Sequence, residues 1–298
     1  MLSVVKPDDE ILVTDSVYSP SRLLTETYLK KFNIRAIFYN PNDFNDLKSK
    51  ITKKTKLIFV ENPGSNTFEF QDLSKIVALA KKNKIYTAID NTWGTPYFLK
   101  PIKLGFDMSI VSATKYYSGH SDVMGGSLAI SKRVFKLVEA TNKVSGLRLG
   151  PDDAYLILRG IRTLDVRLEK HQENALIIAE WLSSREEIEK VFYPPLKDDP
   201  GNKIWKRDFL GAGGLMSFAL KNVEENAVNR MINGMKYFSL GFSWGGYEGL
   251  ICASYPGRSR TATKWKFKEP GIRLHVGLED SEDLINDLEG GFERLLQV

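Results

Sequence analysis

The chain has 298 residues, of which 42% are hydrophobic and 27% are charged, a composition typical of a globular protein with room for one large domain or two smaller ones. Its formal net charge is +5, but the Lys and Arg residues are scattered and form no basic tract with interleaved aromatic residues, so we expect no nucleic-acid partner. The single cysteine, Cys252, excludes internal disulfides, and no apolar run approaches the roughly 20 residues that span a bilayer, so we expect a cytoplasmic protein with no membrane partner.

The first half of the chain alternates predicted strands and helices. Strands are predicted at 11–14, 34–39, 57–61, 85–90, 107–112 and 127–130, and helices at 20–32, 44–51 and 72–83. The helix over 72–83 has the clearest pattern, because its apolar residues recur at helical spacing and share one face. Such alternation predicts an α/β domain over residues 1–160, with a mainly parallel sheet flanked by helices.

After Gly150 the alternation stops. Helices are predicted at 152–160, 163–183, 224–233 and 281–296, and strands at 188–193, 215–221 and 272–277. The last helix has Asp280 or Ser281 as a plausible N-cap. This pattern predicts a smaller α+β C-terminal domain over residues 161–298, joined to the first domain near Gly160.

Two residues that follow neighbouring predicted strands suggest a cofactor. Asp90 ends the apolar run 85–89, and Lys115 follows the run 108–114. Ligands bind at the carboxyl edge of open α/β sheets, and buried Asp or Lys is rare without a reason. Pyridoxal phosphate is one economical reason, because the lysine can form an imine with its aldehyde while the aspartate holds the pyridinium proton. Considered alone, Asp90 fits a helix N-cap better, and Lys115 fits an exposed lysine as well.

A second candidate site residue lies in the predicted strand 272–277. Strict alternation places Arg273 and His275 on one face and three apolar residues on the other. An arginine beside a cleft can bind a substrate carboxylate with two parallel hydrogen bonds, whereas a solvated face of an antiparallel strand fits the pattern equally well. The three histidines have no metal-ligand spacing, so we expect no metal site.

Several segments resemble the Cys/Met-metabolism family of pyridoxal-phosphate enzymes, a branch of the aspartate-aminotransferase-like fold. The matching segments are ENPGS at 61–65, DNTW at 90–93, SATKYYSGHSD at 112–122, RGIRTL at 159–164, WKRDF at 205–209, FSWGGYE at 242–248 and RLHVGLED at 273–280. The resemblance covers nearly the whole chain, and the segments 244–248 and 277–280 look most like the bacterial cystathionine β-lyases of the family. It implies pyridoxal 5'-phosphate as the cofactor and a fold type I large domain.

The resemblance assigns cofactor contacts to five residues. Lys115 would bind the cofactor covalently and then remove the Cα proton of the substrate, and Asp90 would pair with the pyridine nitrogen. Ser112 and Thr114 are two residues apart on a predicted strand, so they face the same side, and they would contact the phosphate. Tyr18 would stack on the cofactor ring and assist proton movement at the leaving group. Without the family context, the two hydroxyl residues could equally fill a strand edge, and Tyr18 could be a tyrosine packed on a turn.

Substrate contacts are implied at three further positions. Arg273 would bind the substrate α-carboxylate, and Ser243 and Trp244 would line the same region. The simple alternative for Trp244 is packing in the core. The implied reaction is β-elimination of L-cystathionine to homocysteine, pyruvate and ammonia, a transsulfuration step of methionine biosynthesis. A γ-lyase or γ-synthase of the same family, and a catalytically inactive remnant, are the alternatives.

The resemblance also implies that the large domain is N-terminally truncated. Members of the family begin roughly ninety residues earlier, and that part supplies a turn at a helix N-terminus that binds the cofactor phosphate with backbone N–H groups. It also supplies a segment that reaches the cofactor of the neighbouring subunit. Because members build each active site from two subunits, we expect a homo-oligomer, either a dimer or a tetramer.

Overall fold

The computed structural model describes residues 1–297 and contains two β-sheets. The first sheet has six strands in the order β2-β1-β3-β4-β5-β6. Its strands are β1 (Glu10–Thr14), β2 (Arg35–Tyr39), β3 (Thr55–Glu61), β4 (Tyr86–Asp90), β5 (Met108–Ser112) and β6 (Gly126–Ile130). The first five are parallel, and only β6 runs antiparallel to its neighbour β5. The prediction of a mainly parallel sheet is therefore confirmed.

Short helices connect and cover these strands. They are α1 (Ser19–Leu23), α2 (Phe44–Ser49), α3 (Leu73–Lys82), α4 (Thr95–Phe98), α5 (Pro101–Leu104), α6 (Phe135–Ser145) and α7 (Pro151–Ile161). The predicted apolar face of α3 is confirmed, since Leu73, Ile76 and Val77 are buried. Asp72 caps this helix by accepting a hydrogen bond from the backbone N–H of Lys75.

The prediction of one regular helix over 20–32 is wrong. After α1 the chain forms a π-helical turn at Leu24–Tyr28 and a 3-10 turn at Leu29–Phe32. Thr25 and Thr27 each donate a side-chain hydrogen bond to a carbonyl three or four residues earlier, at 2.8 and 2.6 Å, which competes with the regular helical pattern. Of the three leucines in this segment, Leu29 is buried, whereas Leu23 and Leu24 are exposed.

The second sheet has five strands in the order β7-β8-β11-β10-β9. Its strands are β7 (Ile188–Phe192), β8 (Leu215–Leu220), β9 (Ser239–Leu240), β10 (Leu250–Ser254) and β11 (Gly271–His275), and its helices are α8 (Leu164–Ser183), α9 (Asn202–Asp208), α10 (Glu225–Asn233) and α11 (Ser281–Leu296), with a 3-10 turn at Pro256–Arg258. Strand β11 lies between β8 and β10 and is antiparallel to both. Asp280 is the N-cap of α11, as predicted.

The largest apolar core is continuous between the two sheets. Leu12 and Ile58 of the first sheet belong to the same buried cluster as Met216 and Leu274 of the second. Alternate residues of the first sheet's strands point to a second, smaller cluster on its other face. The predicted boundary between residues 160 and 161 falls at the end of α7, and the division into two domains stays a prediction.

One helix of the first half lies largely at the surface. None of the residues of α6 is fully buried, and apolar side chains at and beyond its end are exposed, with Val144 at 86% and Leu147 at 77%. Exposed apolar surface of this kind often marks an interaction site, but the homo-oligomer stays a prediction. Within residues 1–297, every helix is too short or too polar to cross a bilayer.

Candidate active site

Lys115 lies in a turn at the carboxyl edge of the first sheet. Strand β5 ends at Ser112, and residues 113–118 form what we call the Lys115 turn. The backbone N–H of Lys115 donates to the carbonyl of Ser112 at 3.1 Å. Its Nζ donates to Ser243 Oγ at 2.8 Å and lies 5.4 Å from the centroid of the Trp244 ring. Lys115 is half-buried among these groups, so the interpretation as an ordinary exposed lysine is wrong.

The environment of Lys115 favours its neutral amine. Burial and the nearby positive charge of Arg273 lower the pKa of Lys115 to about 8. Burial is the larger cause, because a charged ammonium loses its hydration there. An amine with such a pKa is partly unprotonated near neutral pH and can act as a nucleophile or base.

Asp90 is the last residue of β4, next to β5 in the sheet. Its Oδ1 accepts hydrogen bonds from both the backbone N–H and the hydroxyl of Thr92, at 2.9 and 2.5 Å. The following helix, α4, has Gly94 as its N-cap, so the interpretation of Asp90 as a helix cap is wrong. Oδ2 makes no hydrogen bond with any of residues 1–297 and can accept one from a ligand. Burial raises the pKa of Asp90, although both bonds from Thr92 oppose this.

Thr92 connects Asp90 to the Lys115 turn. Its hydroxyl donates to Asp90 and accepts a hydrogen bond from the backbone N–H of Ser112 at 2.9 Å. Ser112 in turn accepts the N–H of Lys115 through its carbonyl. Thr92 and Ser112 therefore link Asp90 to the backbone of Lys115 through a chain of hydrogen bonds. Asp90 and Lys115 lie at the same edge of the sheet.

A second carboxylate, Glu61, lies beside Asp90 and was given no role from the sequence. The two residues are register partners at the ends of β3 and β4. Glu61 Oε2 accepts a hydrogen bond from the backbone N–H of Tyr18 at 2.6 Å. Burial and the charge of Asp90 raise the pKa of Glu61 well above 4.5. The signal that singled out Asp90, a carboxylate ending an apolar strand, is also present at Glu61.

Tyr18 follows β1 at the same edge, and its side chain is 47% exposed. Its position is held through its backbone by Glu61, which leaves the ring free to contact a ligand. Tyr18 directly precedes α1 but makes no side-chain cap. Its predicted role in stacking and proton transfer stays a prediction.

The two predicted phosphate ligands differ in their surroundings. Ser112 ends β5, and its hydroxyl makes no hydrogen bond within the described part of the chain. Thr114 lies in the Lys115 turn, so the strand face that it was expected to share with Ser112 does not extend to it. The Thr114 hydroxyl accepts the N–H of Gly125 at 3.0 Å and donates to the Gly125 carbonyl at 3.3 Å. Ser112 is thus the freer donor, and both phosphate contacts stay predictions.

Arg273 reaches the same site from the second sheet. It lies on β11 and is 8% exposed, so the interpretation as a solvated strand face is wrong. Its Nη2 donates to the carbonyl of Phe242 at 2.6 Å and its Nη1 to Asn66 Oδ1 at 3.4 Å. A buried guanidinium held by two neutral acceptors has no carboxylate partner in residues 1–297 and can bind one from a substrate.

Ser243 and Trp244 lie in a loop over residues 241–249, between β9 and β10, which we call the Trp244 loop. Ser243 contacts the amine of Lys115. Trp244 is half-buried and packs edge-to-face on Tyr116, with ring centroids 5.4 Å apart. The expected contact of both residues with a substrate carboxylate stays a prediction.

These groups fit a cofactor that has an aldehyde, a basic ring nitrogen and a phosphate. Lys115 offers an amine, Asp90 a free carboxylate oxygen and Ser112 a free hydroxyl, all at the carboxyl edge of one parallel sheet. Pyridoxal phosphate requires the first two of these groups for its chemistry. The chain therefore has the amine and the carboxylate that the chemistry of this cofactor needs.

Comparison with known proteins agrees with this assignment. Residues 1–293 match the sequence model of the family described as Cys/Met metabolism PLP-dependent enzyme. The chain is 40% identical over 295 residues to a putative cystathionine beta-lyase of Rhizobium johnstonii, covering 98% of this chain and 74% of that protein. It is 38% identical over 304 residues to the cystathionine beta-lyase MetC of Escherichia coli, covering 99% and 76%.

A solved structure is similar over the same length. The crystal structure of cystathionine gamma synthase from Xanthomonas oryzae pv. oryzae, in complex with aminoacrylate and cysteine, superposes with a TM-score of 0.92 at 34% identity. The match covers 99% of this chain and 77% of that one. The chain therefore belongs to the family of Cys/Met metabolism PLP-dependent enzymes, and pyridoxal phosphate is its cofactor.

Proposed function

We propose that this chain is a carbon–sulfur lyase that cleaves L-cystathionine by β-elimination. One water is consumed, and homocysteine, pyruvate and ammonia are released. The observation that carries this proposal is the half-buried amine of Lys115, with its pKa lowered to about 8, next to the carboxylate-binding candidate Arg273. The cystathionine beta-lyase names of two relatives support the choice of substrate.

Each residue of the site has a separate role in the reaction. Pyridoxal phosphate, when bound, supplies an electron sink for the electrons released at the substrate Cα. Asp90 Oδ2 holds the proton on the ring nitrogen, since Oδ1 is already occupied by Thr92. Lys115 Nζ accepts the Cα proton, for which its lowered pKa is suited.

Arg273 orients the substrate and influences the pKa of Lys115. Its guanidinium has five N–H groups, of which two are used by Asn66 and Phe242, and it binds the substrate α-carboxylate with two others. The bound carboxylate offsets the charge of Arg273, which is one of the two causes of the low pKa of Lys115. Substrate binding therefore makes the amine a stronger base at the moment when a proton must be removed.

We assign Tyr18 a role at the other end of the substrate. It follows β1 by four residues, its side chain is exposed, and its backbone N–H is held by Glu61. We assign its hydroxyl the role of proton donor to the departing sulfur. Loss of the hydroxyl in Tyr18→Phe is expected to slow the release of homocysteine more than the binding of substrate.

Product analysis with the cofactor-loaded chain tests the proposal. We expect pyruvate and homocysteine from L-cystathionine, and a fall in rate by a factor on the order of 10³ or more in Lys115→Ala. Lys103→Ala, which changes an exposed lysine on α5, is the matched control and should leave the rate unchanged. A chain that shows the visible absorbance of bound cofactor but releases no pyruvate would overturn the lyase assignment.

A γ-type reaction at the same site is the second candidate. It is favoured by the TM-score of 0.92 with a cystathionine gamma synthase. Both reaction types begin with loss of the Cα proton, so Lys115 and Asp90 do not distinguish them. The products do, because cleavage on the γ side of cystathionine gives 2-oxobutyrate and cysteine, whereas β-elimination gives pyruvate and homocysteine.

A further inference from the structure

We propose that His275, which has no part in the reaction above, is a positioning residue that holds the Trp244 loop against the Lys115 turn. His275 ends β11 and is 1% exposed. Its Nε2 lies 3.0 Å from the backbone nitrogen of Gly245 and 3.1 Å from the carbonyl oxygen of Gly246. In one tautomer Nε2 accepts from Gly245, and in the other it donates to Gly246, so either form binds the loop.

The backbone of the held loop touches the Lys115 turn directly. Gly245 has a φ of +85°, and a Cβ at this position would lie 2.7 Å from the nitrogen of Tyr116 and 2.8 Å from the carbonyl carbon of Lys115. Only glycine allows both the conformation and this approach. Two residues earlier, Ser243 Oγ accepts the hydrogen bond from Lys115 Nζ. The position of Gly245 therefore determines how closely the loop covers the amine.

Strand β11 holds the loop at two points. Arg273 donates to the carbonyl of Phe242 near the start of the loop, and His275 bonds Gly245 and Gly246 near its middle. In the proposed function Arg273 also binds the substrate carboxylate. His275 is then the contact from β11 that serves the loop alone, and this distinction rests on the proposed function.

Burial, together with the charged and titratable groups around it, keeps His275 neutral. His171 lies 5.0 Å away and Tyr116 6.0 Å away, measured between ring centroids, and the cations Arg273 and Lys115 also face it. Burial, followed by the neighbouring His171, lowers the pKa of His275 well below 6.5. The pKa of His171 is likewise lowered, to about 4, chiefly by burial. His275 is therefore uncharged near neutral pH, and either neutral tautomer keeps the contact with the loop.

Two substitutions of His275 separate a positioning role from general packing. In His275→Gln the terminal amide can occupy the place of Nε2, whereas in His275→Asn the shorter amide reaches only the place of Nδ1, which has no partner in residues 1–297. We expect His275→Asn to loosen the loop and admit water to Lys115. We expect His275→Gln to keep kcat within about threefold of the parent, and His275→Asn to lower it about tenfold with a smaller change in KM.

The direct measurement uses the cofactor-free chain and does not depend on any reaction. The pH midpoint for modification of Lys115 by an amine-reactive reagent, followed by mass spectrometry of its peptide, should rise from about 8 toward 10.5 in His275→Asn, because hydration of the ammonium is restored. Gly245→Ala should also raise this pH midpoint, because the added Cβ pushes the loop away from the Lys115 turn. Gly241→Ala is the control within the loop, since its Cβ meets only the end of the Leu250 side chain, at 3.2 Å.

An unchanged midpoint in both His275→Asn and Gly245→Ala, with each variant folded by its urea-unfolding curve, would overturn the positioning role. Equal losses of kcat in His275→Gln and His275→Asn would also count against it, because then the position of the polar group does not matter. Failure of the lyase assignment would appear only in the products from cystathionine. The two proposals can therefore fail separately.

Discussion

Two different effects act on the single amine of Lys115. Burial removes water from the ammonium, and the guanidinium of Arg273 repels it, and both lower the pKa from its usual 10.5 to about 8. Burial is the larger effect, so removal of the Arg273 charge alone should not restore an ordinary lysine. Because burial is the larger cause, loss of the Arg273 charge should raise the pKa of Lys115 only part of the way to 10.5.

Arg273→Met should raise the pH midpoint of Lys115 modification in the cofactor-free chain, but the midpoint should stay below 10.5. Arg273→Lys keeps a positive charge on β11 and should change the midpoint less, which makes it the matched control. The measurement is the same peptide-level modification over a pH series. A midpoint that falls in Arg273→Met, or that rises equally in both variants, would show that the charge of Arg273 does not act on this amine.

The residue pattern alone identified Asp90 and Lys115, whereas Ser243 and Trp244 were named only through the family resemblance, and Glu61 and His275 were given no role. Asp90 and Lys115 could be predicted because each follows a strand of the first sheet. Glu61 carries the same local signal and was overlooked. His275 carries none, because its partner Gly245 lies 30 residues away in the chain, and only the fold brings them together. Arg273 stayed ambiguous because alternation does not reveal that β11 is an inner strand.

At the scale of elements, α7 packs on the turn that carries Lys115. A Cβ on Gly160 would lie 2.3 Å from the carbonyl oxygen of Tyr117 and 2.2 Å from that of Ser118. These oxygens belong to the backbone of the Lys115 turn, which cannot move away as a flexible side chain can. The close approach of the helix to the turn thus depends on glycine at this position.

Gly160→Ala should therefore lower the free energy of unfolding by about 1–3 kcal/mol, the usual cost of overpacking. Gly126→Ala is the matched control on β6, because a Cβ there meets nothing within 4 Å, and we expect a change within about 0.5 kcal/mol. Urea unfolding followed by circular dichroism measures both. Similar values for the two variants would mean that α7 does not rest on the Lys115 turn.

The helices that the sequence predicted include those that pack into the core. Helices α3 and α8 both bury apolar residues at helical spacing. Helix α6 was not predicted; apolar residues also recur along it, but none of them is buried. The short strand β9 was missed because its two residues are exposed, and β10 because its apolar run becomes a strand only by pairing with β11.

At the scale of the whole molecule, Asp15 joins the first sheet to a segment near the other end of the chain. Its carboxylate accepts the backbone N–H groups of Thr261, Ala262 and Thr263 at 3.0, 3.1 and 2.8 Å. It also pairs with Arg22 at 2.6 Å, and the side chains of this pair are 0% and 6% exposed. Loss of the carboxylate charge would leave a buried guanidinium without its main partner.

These contacts make part of the stability depend on pH. Burial raises the pKa of Asp15, but the hydrogen bonds from Thr261, Thr263 and Ala262, together with Arg22, lower it more, so that the net pKa lies below 3.8. A folded pKa below the unfolded one contributes stability that is complete above 3.8 and is lost as pH falls through the lower, folded pKa. The contribution of Asp15 is therefore fully present at neutral pH and is lost only below pH 3.8.

Asp15→Asn should lower the free energy of unfolding by about 3 kcal/mol at neutral pH, because it removes one partner of a buried ion pair. The difference from the parent chain should narrow as pH falls below 3.8, because the unfolded parent then binds a proton at Asp15 that the folded parent takes up only at lower pH. Glu26→Gln is the control, since Glu26 pairs with the same Arg22 at 3.1 Å but is 43% exposed, and we expect a change within about 0.5 kcal/mol. Urea unfolding over a pH series gives the free energy of unfolding of the parent chain and of both variants. A difference for Asp15→Asn that stays constant from neutral pH into strong acid would show that the charge of Asp15 does not hold the two parts of the molecule together.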